Sequence, residues 1–245
     1  MDDNQSSNRR SYVLPASILI AAVLVSGALV YSAGGRKGAG QPISGKELTV
    51  ADVSKILGPV VQDLIVLGEP KAPVKIIEFA DFQCPFCGKF HRETAGQIRE
   101  EYIKTGKASM IIVDLAFLGQ ESVAAANAAH CAGEQGKYWT YHDFLFDYLW
   151  ENYYAKGKNG ENVGAFSVDN LKSFAKGLGL ETSKFDQCLD SQKYTAKVDK
   201  GYETAQAVLG GRLSTPSISI NGKLIQGAQP YAVFKAAIEE ALKNS

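Results

Sequence analysis

The chain has 245 residues, of which 45% are hydrophobic, 10% aromatic and 21% charged, so it can form one well-packed domain with an insertion or two small domains. This composition excludes a disordered chain, which would have few aromatic residues and much more charge. The 26 Lys and Arg residues balance the 26 Asp and Glu residues. Nucleic-acid-binding proteins usually carry a basic excess, so we expect no nucleic-acid partner.

The N-terminal region contains a long apolar segment. No charged residue occurs between Arg10 and Arg36, and residues 12–33 reach the length of about 20 residues that a helix needs to cross a bilayer. The pattern predicts a transmembrane anchor there, after a short cytoplasmic segment at 1–11. A cleavable signal peptide is the alternative, because small residues at 26–28 offer a cleavage site. Apolar residues continue beyond that site, which favours the anchor.

The segment after the apolar region, residues 34–59, begins with a glycine-rich stretch, which predicts a flexible tether. Residues 60–117 then show an α/β pattern, rich in branched residues where strands are expected. The predicted elements are strands at 60–67, 74–80 and 108–113, with a helix from after Cys84 to Tyr102. A strand–helix–strand order predicts a parallel pair of strands with a right-handed crossover.

Residues 118–209 change to helical patterns and interrupt the α/β order. The expected helices contain alanines 124–129, aromatic residues 139–150, and segments 168–178, 182–189 and 196–209. We expect the aromatic residues of the second helix and of the loop after it to pack in a core. The alternative is that they partly line a surface that binds client proteins. These residues are Trp139, Tyr141, Phe144, Tyr148, Trp150, Tyr153 and Tyr154. Residues 210–245 return to strands around a hairpin turn at Asn221-Gly222 and end in a helix over 231–242.

The motif Cys84-Pro85-Phe86-Cys87 places two thiols one helical turn apart. Directly after a strand, Cys84 is expected at a helix N-terminus, where unpaired N–H groups and the helix dipole stabilise a thiolate and lower its pKa. Pro85 suits the first helical position. The motif therefore predicts an exposed nucleophile at Cys84 and a more buried resolving thiol at Cys87.

Half of a zinc site is the alternative interpretation of this motif, with His91 as a third ligand. Zinc sites in small domains usually have a second clustered pair of ligands, whereas Cys131 and Cys188 are far apart in the sequence. The chain also lacks a glycine motif for nucleotide binding. We therefore expect no metal and no cofactor, and we interpret His91 as a solvated helix residue.

The run from Phe79 to Cys87 resembles the active-site strand and helix start of DsbA-like proteins of the thioredoxin superfamily. Thr215-Pro216 resembles the cis-proline loop of that family, and the helical block between two α/β parts is a further similarity. The resemblance covers roughly residues 68–242. It implies an α/β thioredoxin fold with an inserted all-helical domain, here preceded by the predicted transmembrane helix.

The resemblance implies roles for individual residues. Cys84 and Cys87 match the redox pair. Glu78 matches an acidic residue beneath the active site, where burial would raise its pKa and let it relay the proton of Cys87. An ordinary exposed strand residue is the alternative for Glu78.

Four further positions match the substrate-binding surface of the family: Pro85, Phe86, Thr215 and Pro216. A cis bond before Pro216 would leave the Thr215 backbone free to pair with a substrate strand, although base rates alone favour trans. Phe86 stands where the best-known oxidase of the family has histidine, so one stabiliser of the Cys84 thiolate is missing.

Cys131 and Cys188 match positions at which related anchored proteins often carry a structural disulfide. Closing a loop of about 57 residues would stabilise the fold by about 4 kcal/mol in the chain-entropy model. Two buried free thiols are the alternative. A disulfide would place the domain in an oxidising compartment and the N-terminus of the anchor in the cytosol.

These expectations describe a single-pass cell-membrane protein with an extracytoplasmic thiol–disulfide oxidoreductase domain. We expect it to introduce disulfides into reduced or unfolded secreted and envelope proteins, and a quinone-linked membrane thiol oxidase to reoxidise it. An extracytoplasmic disulfide reductase or isomerase is the alternative. A non-catalytic metal-binding module that uses Cys84, Cys87 and His91 is a second alternative.

Overall fold

The computed structural model describes residue 55 and residues 65–245. The predicted cytoplasmic segment, the anchor at 12–33, nearly all of the tether and residues 60–64 of the first predicted strand lie outside the described residues. Among the described residues, none of the helices combines the length and the apolar character that crossing a bilayer requires.

The described residues form a five-stranded sheet. Its strands are β1 (Leu67–Gly68), β2 (Val74–Ala80), β3 (Ala108–Asp114), β4 (Ser217–Ile220) and β5 (Lys223–Gln226). They lie in the order β1-β3-β2-β4-β5, with β2 and β3 parallel and the other neighbours antiparallel. Of the strand predicted at 60–67, residues 65 and 66 are not in a strand, because pairing with β3 begins only where Leu67 lies opposite Met110.

Seven helices accompany the sheet in the described part of the chain. Helix α1 begins at Pro85 and combines α-helical segments, Pro85–Phe90 and Gly96–Ile98, with π-helical turns, His91–Ala95 and Arg99–Ile103. The others are α2 (Gln120–Gly133), α3 (Tyr138–Asn152), α4 (Val168–Gly177), α5 (Thr182–Asp190), α6 (Thr195–Val208) and α7 (Tyr231–Lys243). A short 3₁₀ turn, Tyr154–Lys156, follows α3.

The central strand β2 is buried on both faces, which explains its nearly continuous apolar sequence. Val74, Ile76 and Ala80 pack in the large core with α1, α7 and the helical insertion. Ile77 and Phe79 point to the other face, into a smaller core that α6 covers.

Helix α6 therefore packs against the sheet, although the sequence pattern groups it with the insertion. Its approach depends on Gly201, because a Cβ atom there would lie 2.5 Å from the Asp114 carbonyl oxygen. A disulfide joins Cys131 on α2 to Cys188 on α5, which is the pairing implied by the resemblance. The insertion is thus cross-linked within itself.

Candidate active site

The Cys84-Pro85-Phe86-Cys87 motif lies where β2 gives way to α1. A tight turn closes between the two elements, with the Cys84 N–H donating to the Asp81 carbonyl at 3.0 Å. Cys84 then caps α1 with extended backbone angles, and Pro85 takes the first helical position, where its missing N–H costs nothing. The Cys84 residue consequently lies at the N-terminus of α1.

This position makes Cys84 the more acidic of the two thiols. Its pKa is lowered to about 7, first because the Cys87 thiol donates a hydrogen bond to its sulfur. Burial opposes this effect, while the Thr215 side chain and the N–H groups of Cys87 and Phe86 add to it. Burial raises the pKa of Cys87 well above its ordinary value, and negative charge on Cys84 and Glu78 adds to the rise. The pKa values of the two thiols are therefore shifted in opposite directions.

The prediction that Cys84 is exposed is wrong. Both cysteines are free thiols in this structure, and Cys84 is only 5% exposed, against 0% for Cys87. The loop before β4 covers its sulfur, which lies 3.4 Å from the Thr215 carbonyl oxygen that accepts its S–H. Phe86 instead points outward and is 59% exposed.

The loop over Cys84 contains the Thr215–Pro216 peptide bond, which is cis. The Pro216 carbonyl accepts the N–H of Gly227 at 2.8 Å, and the Ser217 hydroxyl donates to the Ser214 carbonyl at 2.6 Å. These bonds tie the loop to the β4–β5 hairpin, so residues more than 130 positions apart in sequence meet at the sulfur.

Glu78 lies on β2 and is 2% exposed, which rules out the ordinary exposed strand residue as its interpretation. Burial raises its pKa to about 8; the Arg99 guanidinium acts against the rise, and negative charge on Cys84 and Asp143 adds to it. Negative charge on Cys84 raises the pKa of both Glu78 and Cys87, in addition to their burial. A neutral Glu78 carboxyl is therefore a group that can hold a proton below the cysteine pair.

His91 is neither a solvated residue nor a neighbour of the two thiols, which corrects both interpretations from the sequence. Its ring stacks on Phe146 with centroids 5.4 Å apart, and its side chain is 12% exposed. Burial lowers its pKa to about 4. Among the described residues it groups with His142 and Asp143, not with the cysteines. The Arg99 guanidinium already donates to both Asp143 oxygens, at 2.6 and 2.7 Å.

The aromatic residues of the insertion divide between core and active site. Tyr141 is buried and Phe144 packs with Tyr148 and Phe174, as expected for a core. The Trp150 ring packs against Gly88, the residue after Cys87: a Cβ atom added to Gly88 would lie 3.3 Å from it. The same ring is in edge contact with Tyr154, with centroids 6.4 Å apart. These last two residues border the redox motif.

Sequence reasoning missed two site residues, Asp81 and Gln83, which precede Cys84 and are almost completely buried. Both are polar residues at the end of an apolar strand, which is a signal that could have marked them. Their partners Ser122, Tyr154 and Asn162 belong to the insertion, and no local pattern connects them to the motif.

A family model described as Thioredoxin matches residues 61–240 of the chain. The chain belongs to the thioredoxin family. It is 31% identical over 183 residues to "Probable disulfide bond formation protein D" of Bacillus cereus, an overlap that covers 73% of this chain and 78% of that relative.

Two further comparisons agree. "Disulfide bond formation protein D" of Bacillus subtilis is 27% identical over 188 residues, covering 76% of this chain and 80% of that relative. The crystal structure of oxidised BdbD from Bacillus subtilis matches with a TM-score of 0.64 and 25% identity, covering 75% of this chain and 95% of that structure. The expected thioredoxin fold with a helical insertion is thus confirmed. This DsbA-like protein is a disulfide-forming thiol–disulfide oxidoreductase.

Proposed function

We propose that this DsbA-like protein transfers its Cys84–Cys87 disulfide to reduced secreted or envelope proteins. The observation that carries the proposal is that the pKa values of the two thiols are shifted in opposite directions. The pKa of Cys84 is lowered to about 7, and that of Cys87 is raised well above its ordinary value. A disulfide whose one sulfur leaves readily as a thiolate is a good donor.

The reaction is a balanced exchange of two electrons and two protons. A substrate thiolate attacks the Cys84 sulfur of the oxidised pair, a mixed disulfide forms, and Cys87 departs with the bonding electrons and takes up a proton. A second substrate thiolate then attacks the substrate sulfur of the mixed disulfide. Cys84 leaves as a thiolate stabilised at the helix N-terminus, the substrate is oxidised and the enzyme pair is reduced.

Glu78 supplies the proton that Cys87 needs when it departs. The carboxyl is buried and neutral over most of the physiological pH range, because its pKa is raised to about 8. A neutral acid near a departing thiolate of high pKa is suited to proton donation. Reoxidation returns the proton by the reverse route.

The substrate contacts the surface around Cys84. Phe86 offers an exposed ring two residues after Cys84, Pro85 is the residue next to Cys84 in the motif, and the cis Pro216 belongs to the loop that covers the sulfur. In the reduced protein the Thr215 carbonyl accepts a hydrogen bond from the Cys84 S–H group. When the Cys84 sulfur is in a mixed disulfide, this carbonyl becomes available to accept a backbone N–H of the substrate.

A quinone-linked membrane thiol oxidase reoxidises the pair in this proposal, and residues 12–33 anchor the protein with its catalytic part outside the cytoplasm. The Cys131–Cys188 disulfide supports this location, because such bonds persist in oxidising compartments. The uncharged apolar run between Arg10 and Arg36 supports the anchor.

The test is oxidation of a reduced two-cysteine peptide by the full chain. We expect Cys84→Ser to abolish disulfide formation, because the sulfur that exchanges with the substrate is absent. Cys87→Ser, mixed instead with the oxidised form of the same peptide, should accumulate a mixed disulfide between Cys84 and the peptide. Cys84 can attack the peptide disulfide and Cys87 is no longer present to resolve the product, which mass spectrometry detects. Retained turnover in Cys84→Ser, or a mixed disulfide at Cys131 or Cys188, would contradict the proposal.

A further inference from the structure

Gln83, the residue directly before Cys84, is held mainly by the helical insertion. Its side chain is completely buried. Its Nε2 donates to the Ser122 hydroxyl at 2.7 Å, and its Oε1 accepts the backbone N–H of Asn162 at 2.6 Å. Its carbonyl oxygen accepts the Tyr154 hydroxyl. Three residues of the insertion thus converge on one residue of the redox turn.

Asp81 closes the same turn from the other side. Its Oδ1 accepts the Gln83 N–H at 2.8 Å and the Ser122 hydroxyl at 2.6 Å. Its Oδ2 accepts the N–H groups of Phe117 and Leu118 at 2.9 and 3.0 Å. The turn that places Cys84 is therefore fixed by side chains on both sides and leaves little freedom to the Gln83 peptide.

The loop that carries Asn162, between α3 and α4, has a conformation set by its own contacts. Asn162 has a φ of 51°, and a Cβ atom on Gly119, whose φ is 138°, would overlap the Asn162 amide. The Glu121 carboxylate accepts the N–H groups of Gly164 and Phe166, both at 2.7 Å. The loop is thus anchored to the start of α2 and can act as a fixed support for Gln83.

The position of the Cys84 sulfur matters because its ionisation depends on directional contacts. The N–H groups of Phe86 and Cys87 and the Cys87 thiol lower its pKa, and hydrogen bonds weaken steeply as distance and angle depart from ideal values. Burial raises the pKa of Tyr154, and so does negative charge on Cys84 and Cys87. The Tyr154 hydroxyl therefore stays protonated as a donor and lies within electrostatic reach of both sulfurs.

We propose that Tyr154 and Asn162 are positioning residues for Cys84, which act through Gln83 to keep the sulfur where the helix N-terminus stabilises its thiolate. The inference rests on the proposed role of Cys84 as the reactive sulfur. It assigns to the helical insertion a direct part in setting the acidity of that sulfur.

The test uses the full reduced chain and the variants Tyr154→Phe and Asn162→Gly. Phenylalanine keeps the ring packing and removes only the hydroxyl. Glycine keeps the positive φ of residue 162 but removes the Asn162 amide, whose Oδ1 accepts from Gln83 Nε2 at 3.5 Å and whose Nδ2 donates to the Leu118 carbonyl at 2.6 Å. The measurement is the midpoint of the pH dependence of Cys84 alkylation by iodoacetamide. We expect Tyr154→Phe to raise that midpoint by about half a unit, a roughly threefold smaller thiolate fraction at pH 6. Asn162→Gly should shift it in the same direction.

Tyr153→Phe is the matched control, because it removes a hydroxyl from the preceding residue, one that the described hydrogen bonds to Gln83 do not involve. Its midpoint should equal that of the wild type. An unchanged midpoint in both Tyr154→Phe and Asn162→Gly, or an equal shift in Tyr153→Phe, would overturn the inference. Alkylation needs no protein substrate, so failure of the chain to oxidise peptides would contradict the proposed function and leave this measurement intact.

Discussion

The chain contains two cysteine pairs that differ in almost every physical respect. Cys84 and Cys87 are three residues apart, lie at a helix N-terminus and are free thiols beside buried ionisable groups. Cys131 and Cys188 are 57 residues apart, join two helices and form a disulfide. The charged groups next to the second pair lie nearer the surface, where Lys193 pairs with Glu134 at 2.6 Å. The reactivity of the first pair follows from the ionisable groups around it. The contribution of the second pair to stability follows from the length of the loop that its disulfide closes.

The largest expected effect comes from removing the second pair. The double variant Cys131→Ala, Cys188→Ala should lose about 4 kcal/mol of unfolding free energy in the chain-entropy model, because a loop of this length is no longer closed. Urea unfolding of the variant and the wild type measures the loss. At low temperature, where the variant remains folded, peptide oxidation should continue at nearly the wild-type rate. Loss of oxidation in folded variant protein would show that the two pairs are coupled in function.

A second effect concerns the buried acid below the first pair. The Glu78 pKa is raised to about 8 in the folded protein from an ordinary value of 4.5, so the folded state holds a proton that the unfolded state releases. The stability contribution is complete below pH 4.5 and is lost as the pH rises through 8. The free energy of unfolding of Glu78→Gln, measured by urea unfolding, should therefore exceed that of the wild type by a few kcal/mol at pH 8.5, with a much smaller difference at pH 5.

The same Glu78→Gln variant should slow peptide oxidation by about a hundredfold, because the proton donor for Cys87 is absent. Cys84→Ser provides the baseline without exchange. An unchanged rate together with the altered pH dependence of stability would leave Glu78 a structural residue only. An unchanged pH dependence of stability would show that Glu78 is ionised in the folded protein.

The smallest effect concerns His91, a largely buried ionisable group on α1 whose side chain is 12% exposed. Its pKa is lowered from 6.5 to about 4, so the unfolded state binds its proton first and stability falls as the pH decreases from 6.5 to 4. His91→Phe preserves the stacking on Phe146 and removes the titration. Between pH 7 and pH 4.5, we expect the free energy of unfolding of the variant to rise by about 2 kcal/mol relative to that of the wild type. His130→Phe would not be a suitable control, because His130 pairs with Asp114 at 2.6 Å.

Lys89→Ala is the better control for that experiment. Lys89 lies on the same helix, and its contact with Glu93 is a long, exposed ion pair of 3.9 Å. Its pH dependence of unfolding should follow the wild type between pH 7 and pH 4.5. If His91→Phe shows the same pH dependence as the wild type, the His91 ring is protonated as readily in the folded protein as in the unfolded one.

Much of the fold could be predicted because its signals are local. The branched residues of Val74–Ala80 form a strand with the predicted bounds, and Pro85 begins the helix as expected. The predicted helices of the insertion agree with the structure to within a few residues at their ends, since apolar periodicity and turn residues act over short distances. The error at Cys84 was of another kind, because the Thr215–Pro216 loop that covers its sulfur is distant in the sequence.

The amino-acid sequence by itself determined the redox motif, the order of strands and helices, and the acidic residue six positions before the first cysteine. These features depend on backbone preferences and on spacings of a few residues. Only the tertiary structure decided that Cys84 is covered, that His91 joins His142 and Asp143, and that Tyr154 and Asn162 reach Gln83. Each of these outcomes depends on a contact between separate elements, and such contacts form only when the sheet and the insertion pack together.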